Sequence, residues 1–387
     1  MTEKQNTPEI RFQGFTDPWE QRKLNEYLET SREKNESCRF GKDDVLSVSG
    51  DYGIVNQIEF QGRSYAGASV ANYGVVHKGD VVYTKSPLRS NPYGIIKTNR
   101  GNDGIVSTLY AVYHPTEKTH PDFVQVYFEQ NVRMNNYMAP LVSKGAKNDM
   151  KVSAENALKG AVTFPGIKEQ EVIASYFSRL DNLITLHQRK YDKLCTVKKS
   201  MLDKMFPKPG ETEPEIRFEG FSDPWEQRKL GELCSINSGR DYKHLDEGDI
   251  PVFGTGGFMT SVNEALSYDR DAVGIGRKGT IDKPYKLRAP FWTVDTLFYC
   301  IPEESVDLDF LEGLFLNVDW ASKDESTGLP SLSKTIISDV DILVPKLSEQ
   351  VAISGTLASL DNLITLHQRK LELLRNIKKS LLDRMFV

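Results

Sequence analysis

An eleven-residue stretch occurs twice in this chain, letter for letter, and constrains the fold more than any other feature. It reads LDNLITLHQRK at residues 180–190 and again at residues 360–370. A second pair of blocks, PEIRFQGFTDPWEQRKL at residues 8–24 and PEIRFEGFSDPWEQRKL at residues 214–230, differs at two of 17 positions. Repeats of this length indicate internal duplication. The chain is therefore predicted to form two units, each opening with the Trp-containing block and closing with the eleven-residue stretch.

Both copies of LDNLITLHQRK lie in long segments where seam residues recur at alternating spacings of four and three. The first series runs Ile173, Phe177, Leu180, Ile184, His187, Tyr191, Leu194, Lys198, Met201 and Met205, and the second Ile353, Leu357, Leu360, Ile364, His367, Leu371, Leu374, Lys378, Leu381 and Met385. This spacing is typical of a coiled coil. We predict two long antiparallel helices, with both histidines and both lysines as packing or register residues. Further apolar residues widen the stripes and predict contact with partner helices: Leu183, Leu186, Val197, Leu363, Leu366 and Ile377.

Residues 25–162 and 231–342 share little sequence, yet both alternate strand-like and helix-like patterns. Strands are expected within residues 79–85, 93–98, 107–113, 250–255, 271–276 and 295–301, and helices around Asp122–Met138 and Asp309–Trp320. The predicted class is therefore α/β, with two such domains joined by the helices in a pseudo-two-fold arrangement. The predicted parts are an opening segment and first domain (1–165), a spacer helix (166–206), a linker, opening segment and second domain (207–345), and a second spacer helix (346–387).

Composition narrows the class of protein. The 387 residues carry a net charge of −5, which counts against a chain that grips nucleic acid by bulk charge, although a local basic surface stays possible. No apolar run reaches the ~18 residues that span a membrane, and the four cysteines are scattered without metal-ligand spacing. A cytoplasmic protein without a metal is expected.

Two short motifs suggest catalysis, but neither lies in the sequence context that its binding site would need. Residues 274–279 fit GxGxxG, yet the Thr280–Pro284 segment does not predict the helix that a dinucleotide site needs. Ser90-Asn91-Pro92-Tyr93 resembles the NPPY of amino-methyltransferases, but no glycine-rich cofactor loop precedes it. We therefore expect a noncatalytic chain that binds no cofactor itself.

The duplicated frame around two unlike domains resembles the specificity (S) subunit of type I restriction-modification systems. The resemblance covers essentially the whole chain and is carried by the WEQRKL blocks, by IPVFGTGG and VGIGRKGT, and above all by TGLPSLSKTIISDVDILVPKLSEQ. The first unit keeps Pro165, Glu169 and Gln170 of the last motif but lacks its Leu-Pro-Ser-Leu-Ser core.

This resemblance implies two target-recognition domains that read a bipartite, asymmetric sequence in double-stranded DNA. It also implies two modification subunits that dock on the helices and methylate adenine N6, together with restriction subunits that translocate and cleave DNA. S-adenosylmethionine, ATP and Mg are then expected on those partners. The alternative that the sequence leaves open is a coiled-coil protein-interaction scaffold without DNA specificity.

Loop chemistry suggests which residues contact DNA. Arg and Lys suit guanine and phosphate, whereas Asn, Ser and Thr suit adenine edges or phosphates. The candidates in the first domain are Lys85, Ser86, Arg89, Lys144, Lys147 and Asn148. The candidates in the second domain are Thr255, Arg277, Lys278, Ser331, Ser333 and Lys334.

Overall fold

A computed structural model of the chain describes residues 6–85, 88, 91–144, 150–208, 210–324 and 326–387. The chain forms two compact units, unit 1 from residues 1–186 and 371–387 and unit 2 from residues 187–370. Each unit therefore contains one domain and a part of each long helix. In the described part of the chain, no helix combines the length and the apolar character needed to cross a membrane.

Unit 1 contains short strands and helices that precede the first long helix. Its strands are β1 (Glu20–Lys23), β2 (Leu28–Thr30), β3 (Leu46–Ser49), β4 (Gly53–Asn56), β5 (Gly74–Val76), β6 (Val81–Thr84), β7 (Ile96–Thr98), β8 (Gly104–Val106), β9 (Tyr110–Pro115), β10 (Ser143–Lys144), β11 (Met150–Lys151) and β12 (Ala161–Phe164). Its helices are α1 (Gln57–Gln61), α2 (Pro121–Tyr127), α3 (Asn131–Met138), α4 (Ala154–Ala157) and the beginning of α5 (Ile167–Lys204).

Unit 2 begins within α5 and follows a similar order. Its strands are β13 (Glu226–Lys229), β14 (Cys234–Ser238), β15 (Ile250–Gly254), β16 (Gly257–Val262), β17 (Ala272–Gly276), β18 (Tyr285–Leu287), β19 (Trp292–Thr293), β20 (Leu297–Pro302) and β21 (Asp341–Val344). Its helices are α6 (Leu308–Asn317), α7 (Lys334–Ser338) and the beginning of α8 (Leu347–Arg384), whose last part belongs to unit 1.

The two units share one sheet topology although their sequences differ. The central antiparallel sheet has the order β2-β9-β6-β7 in unit 1 and β14-β20-β17-β18 in unit 2. Each unit also pairs its first strand with the strand before its long helix, β1 with β12 and β13 with β21. The duplication that the repeats predict therefore extends through both domains.

The Trp-containing blocks anchor the start of each long helix. The Arg11 guanidinium donates to both carboxylate oxygens of Glu169 at 2.7 Å, and Arg217 repeats this contact with Glu349 at 2.8 and 2.9 Å. Both glutamates are 2 % exposed. Bidentate pairs of this kind are strong and directional. They attach the opening block to the long helix in each unit.

The ends of the two long helices complete the aromatic cores. In unit 1, Phe386 lies 6.0 Å from Trp19 and 5.8 Å from Phe123, measured between ring centroids. In unit 2, Phe206 lies 6.4 Å from Trp225. Large aromatic side chains bury much surface, so each contact ties a helix end to a domain core.

The long helices pair in antiparallel fashion within each unit, as predicted. In unit 1, Lys378 Nζ lies 2.6 Å from Asp181 Oδ1 and 2.8 Å from Glu129 Oε1. In unit 2, Lys198 Nζ lies 2.5 Å from Asp361 Oδ1. Each lysine thus contacts the aspartate of the other copy of LDNLITLHQRK. A polar residue in a seam can fix register, and here its partner is visible.

The two seam histidines contact each other in unit 2. His187 Nδ1 lies 2.8 Å from His367 Nδ1, so one ring donates and the other accepts. Burial and the neighbouring His367, together with Lys370 and Lys190, lower the pKa of His187. The neutral form of the His187 imidazole is therefore favoured.

One predicted helix is divided. The segment expected as a single helix at Asp122–Met138 contains α2 and α3, with Phe128 ending α2. The break leaves Phe128 buried against the ring of Tyr137 and places Glu129 against Lys378. Burial of the aromatic ring and the ion pair both oppose a continuous helix here.

We expect Asp181→Ala to lower the free energy of unfolding by about 2 to 3 kcal/mol. Lys378 would keep only Glu129 as a partner in a partly buried site, where removing one charge of a pair is costly. Asp361→Ala is the matched control and should cost about 1 kcal/mol or less, because that pair is more exposed. Urea denaturation measures both changes. Equal losses would contradict this account.

The His187–His367 pair should make stability depend on pH. The pKa of His187 is lower in the folded chain than the ordinary 6.5, so unfolded chains bind more protons in this range. Stability from this source should be complete above about pH 6.5 and fall as the pH drops through the folded pKa. The double variant His187→Asn/His367→Asn should lose less stability than the wild type between pH 7.5 and 5.5. Thermal melts at both pH values test this difference.

Candidate nucleic-acid interface

Five of the six candidates in unit 2 line one groove. The groove has a volume of about 390 Å³ and is bounded by Ser238, Arg277, Lys278, Phe298, Ser331, Leu332, Ser333 and Lys334. These residues come from the end of β14, the end of β17, the start of β20 and the segment before α7. Since β20 runs antiparallel to both other strands, these positions meet at one end of the sheet.

Arg277 and Lys278 are exposed because they follow a completely buried strand. Every residue of β17 is buried, whereas both basic residues that follow it are exposed. The Arg277 N–H donates to the carbonyl of Thr296 at 2.7 Å, which holds the chain as it leaves the sheet. The guanidinium lies 5.8 Å from the Phe298 ring and donates to the carbonyl of Asp295 at 3.4 Å.

A buried leucine positions the serines and Lys334. Leu332 is 4 % exposed, and its N–H donates to the carbonyl of Arg277 at 2.9 Å. Ser331 forms a β-bridge with Lys278, so the two segments are locked together. Ser333 caps α7, its hydroxyl accepting from the Ile336 N–H at 3.1 Å. Lys334, the first residue of that helix, is exposed.

The groove carries three positively charged side chains. Within the described ranges, Arg277, Lys278 and Lys334 take part in no ion pair. The carboxylate of Asp324, which precedes this segment, accepts from the N–H groups of Ser331 and Ser326 at 3.0 and 2.9 Å. These hydrogen bonds lower the pKa of Asp324. Such a cationic surface suits phosphate oxygens or guanine edges.

Sequence reasoning missed two residues of the groove and included one that lies outside it. Ser238 and Phe298 belong to strands whose pairing is not evident from the sequence. Thr255 lies in the turn between β15 and β16 and does not line the groove. Its proposed DNA contact stays a prediction.

In unit 1, Lys85 occupies the position that corresponds to Arg277. It follows β6 as Arg277 follows β17, and its N–H donates to the carbonyl of Leu109 at 2.9 Å. Burial, with a smaller effect of Lys34, lowers the pKa of Lys85. Lys144 lies in strand β10, whereas Ser86, Arg89, Lys147 and Asn148 lie outside the described residues.

The leucines of the repeated stretch are exposed along the long helices. Leu183 and Leu186 are 45 and 47 % exposed, and Leu363 and Leu366 are 44 and 46 % exposed. Ile377 is also exposed and Val197 is half-buried. The near-identical values follow from the duplicated sequence.

Among the described residues, no cluster of three or more His, Cys, Asp or Glu side chains could hold a metal ion.

Part of the chain is similar to a known protein family. Residues 222–376 match the family described as "Type I restriction modification DNA specificity domain". The matched segment includes every residue that lines the groove of unit 2.

The chain as a whole has the fold of type I S subunits. It is similar to the crystal structure of the S subunit from M. genitalium, with a TM-score of 0.68, 15 % identity, and coverage of 98 % of this chain and 99 % of that one. A chain from a type I R-M system, studied for complex assembly and conformational transition, has a TM-score of 0.50, 16 % identity and coverage of 95 % and 97 %.

A sequence relative points the same way. The specificity subunit of the type I restriction enzyme MjaVIII, from Methanocaldococcus jannaschii, is 25 % identical over 261 residues, or 57 % of this chain. The match spans 60 % of that relative's length. The predicted resemblance to type I specificity subunits is thus confirmed.

The groove cations should be dispensable for folding. Lys278→Ala and Lys334→Ala should each change the free energy of unfolding by less than about 0.5 kcal/mol, because both side chains are exposed. Leu332→Ala should cost about 2 to 4 kcal/mol by leaving a cavity beneath the groove. Chemical denaturation compares the three variants. A large loss in either lysine variant would assign that lysine a structural role.

Proposed function

We propose that this chain is the noncatalytic, DNA-reading specificity subunit of a type I restriction-modification complex. The observation that carries the proposal is the convergence of Arg277, Lys278, Ser331, Ser333 and Lys334 on one groove, within the segment that matches the specificity-domain family. Each unit would read one half of a bipartite target. Because the loops of the two units differ in sequence, the two half-sites would differ too.

The partners would dock on the exposed leucines of the long helices. Two modification subunits would bind there and methylate adenine N6 with S-adenosylmethionine, and restriction subunits would supply ATP- and Mg-dependent translocation and cleavage. Such a complex would work in the cytoplasm. The net charge of −5 suits a chain that shares phosphate contacts with partners rather than gripping DNA by itself.

Exchanging one recognition domain tests the reading function. Replacing residues 25–162 with the corresponding domain of another S subunit should alter one half of the methylated sequence only. Methylome sequencing of strains with the original and the exchanged chain measures this. A change in both halves, or in neither, would contradict the proposal.

Substitutions in the groove should weaken DNA binding in distinguishable ways. Loss of a phosphate contact at Lys278 or Lys334 should weaken binding to all sequences and reduce the slope of log affinity against log salt by about 1. If Arg277 contacts guanine, Arg277→Ala should relax specificity at one position. Mobility-shift assays across a salt series, with the modification subunits present, provide the measurement.

The exposed leucines also suit a protein scaffold without DNA specificity, and the same assays separate the two functions. Absence of site-specific, salt-sensitive binding would favour the scaffold.

Leu183→Glu and Leu363→Glu should release the modification subunits under either function. Val132→Glu, on the exposed side of α3, is the control that should leave assembly intact. Size-exclusion chromatography measures whether the modification subunits stay bound to each variant.

A further inference from the structure

Each unit has a β-hairpin that presents an exposed aromatic residue near its turn. In unit 2 the hairpin β15–β16 carries Phe258 and Met259, which are 64 and 52 % exposed. In unit 1 the hairpin β3–β4 carries Tyr52, which is 69 % exposed. Single exposed apolar residues are common on proteins. Here, however, the feature recurs at one place in two domains whose sequences otherwise differ.

The two hairpins are structurally equivalent. Each follows the first strand of the central sheet, β2 or β14. The first hairpin strand of unit 2, β15, pairs in parallel with β19, and in unit 1 a parallel bridge joins Val45, before β3, to Ile105 in β8. Both partner strands, β19 and β8, lead directly into the long central strand, β20 or β9. The turns therefore occupy the same end of each domain.

Backbone contacts place the turn of β15–β16 beside the cationic groove. The Val294 N–H donates to the carbonyl of Phe253 at 3.0 Å. The backbone carbonyl of the next residue, Asp295, accepts from the Arg277 guanidinium. A Cβ atom added to Gly254 would lie only 2.7 Å from Met259 Sδ. The methionine side chain therefore lies against the end of β15. The hairpin that carries Phe258 and Met259 is thus connected to Arg277 through Phe253, Val294 and Asp295.

The same relation holds in unit 1. The carbonyl of Leu109, which accepts from the Lys85 N–H, lies just before Tyr110. Tyr110 packs against the same hydrophobic cluster as Val48 in the hairpin strand β3. The hairpin carrying Tyr52 is therefore joined to the strand end that positions Lys85.

The shape of the unit 2 hairpin suits insertion into a groove. Its turn reads Gly254-Thr255-Gly256-Gly257, and a Cβ on Gly256 or Gly257 would have no heavy atom within 4 Å. Successive strand residues point to opposite faces. Phe258 contacts the Phe253 ring and Met259 lies against Gly254, yet more than half of each side chain stays exposed. The major groove of B-DNA admits a two-stranded ribbon of this kind.

We propose that the β15–β16 hairpin enters the major groove of the half-site read by unit 2, where Phe258 packs against a thymine methyl group. The inference rests on the proposed DNA-reading function. Tyr52 would make the equivalent contact in the other half-site. Apolar side chains distinguish thymine from cytosine by this methyl group, while Arg277 and its neighbours hold the strand by charge.

Removing one methyl group from the DNA tests the contact directly. The complex of the full chain with its modification subunits is titrated with duplexes containing the target mapped by methylome sequencing. Thymines in the half-site assigned to unit 2 by domain exchange are replaced one at a time by uracil. Wild-type affinity should fall by about fourfold at one position or more, as expected for one buried methyl group.

Phe258→Ala should bind the thymine duplex more weakly and show no further loss with uracil. Tyr268→Ala is the matched control, since Tyr268 is 63 % exposed and precedes β17, at the end of that strand away from Arg277. It should retain wild-type affinity and the uracil effect. Tyr52→Ala should remove uracil sensitivity in the other half-site only.

The outcomes separate this inference from the function on which it rests. If the wild-type complex shows no site-specific binding, the proposed function fails. If the wild type binds its target but Phe258→Ala retains the uracil effect, the hairpin contact is overturned and the function stands. Equal effects of Phe258→Ala and Tyr268→Ala would also overturn it. Thermal melts of the variants verify that each is folded.

Discussion

Two reciprocal ion pairs fix how the long helices are aligned. Asp181 and Lys378 meet in unit 1, and Asp361 and Lys198 meet in unit 2. Each aspartate lies within one copy of LDNLITLHQRK, and its lysine partner follows the other copy in the other long helix. Because the two helices are duplicates and run antiparallel, the same ion pair forms twice. A slip of one heptad would leave partly buried charges without partners, which is costly. The aromatic contacts at the helix ends depend on this register.

The frame and the reading surface use different kinds of residue. The frame has buried polar groups with complete partners, such as Gln350, whose amide group accepts from the Asp307 N–H and donates to the carbonyl of Pro345. These contacts recur at Gln170 in unit 1. In the groove of unit 2, the cations instead have no carboxylate partner among the described residues, and they lie on segments held by the buried Leu332. Rigid support beneath unpaired charge is the arrangement that a recognition surface requires.

Local pattern was sufficient to predict both long helices and most central strands. The seam spacing identified both long helices because every seam position from Ile173 to Met205 is buried or half-buried, as a coiled coil requires. The shared strand order could not be predicted, since strand pairing is non-local and the paired residues of the two units differ. The same reason explains why Ser238 and Phe298 were missed at the groove. Arg277 could be predicted as a candidate because it lies in a glycine-rich run that interrupts the strand-like apolar pattern at the end of a buried strand.

The contact between Phe386 and the Trp19 core has a consequence for the order of folding during synthesis. Unit 2 is a continuous segment, residues 187–370, whereas unit 1 needs residues 371–387 to complete its aromatic core. A ribosome delivers the whole of unit 2 before it delivers that final part of unit 1. The domain that emerges first is therefore the domain that is finished last, and its tryptophan lacks the Phe386 ring until the second helix has been made.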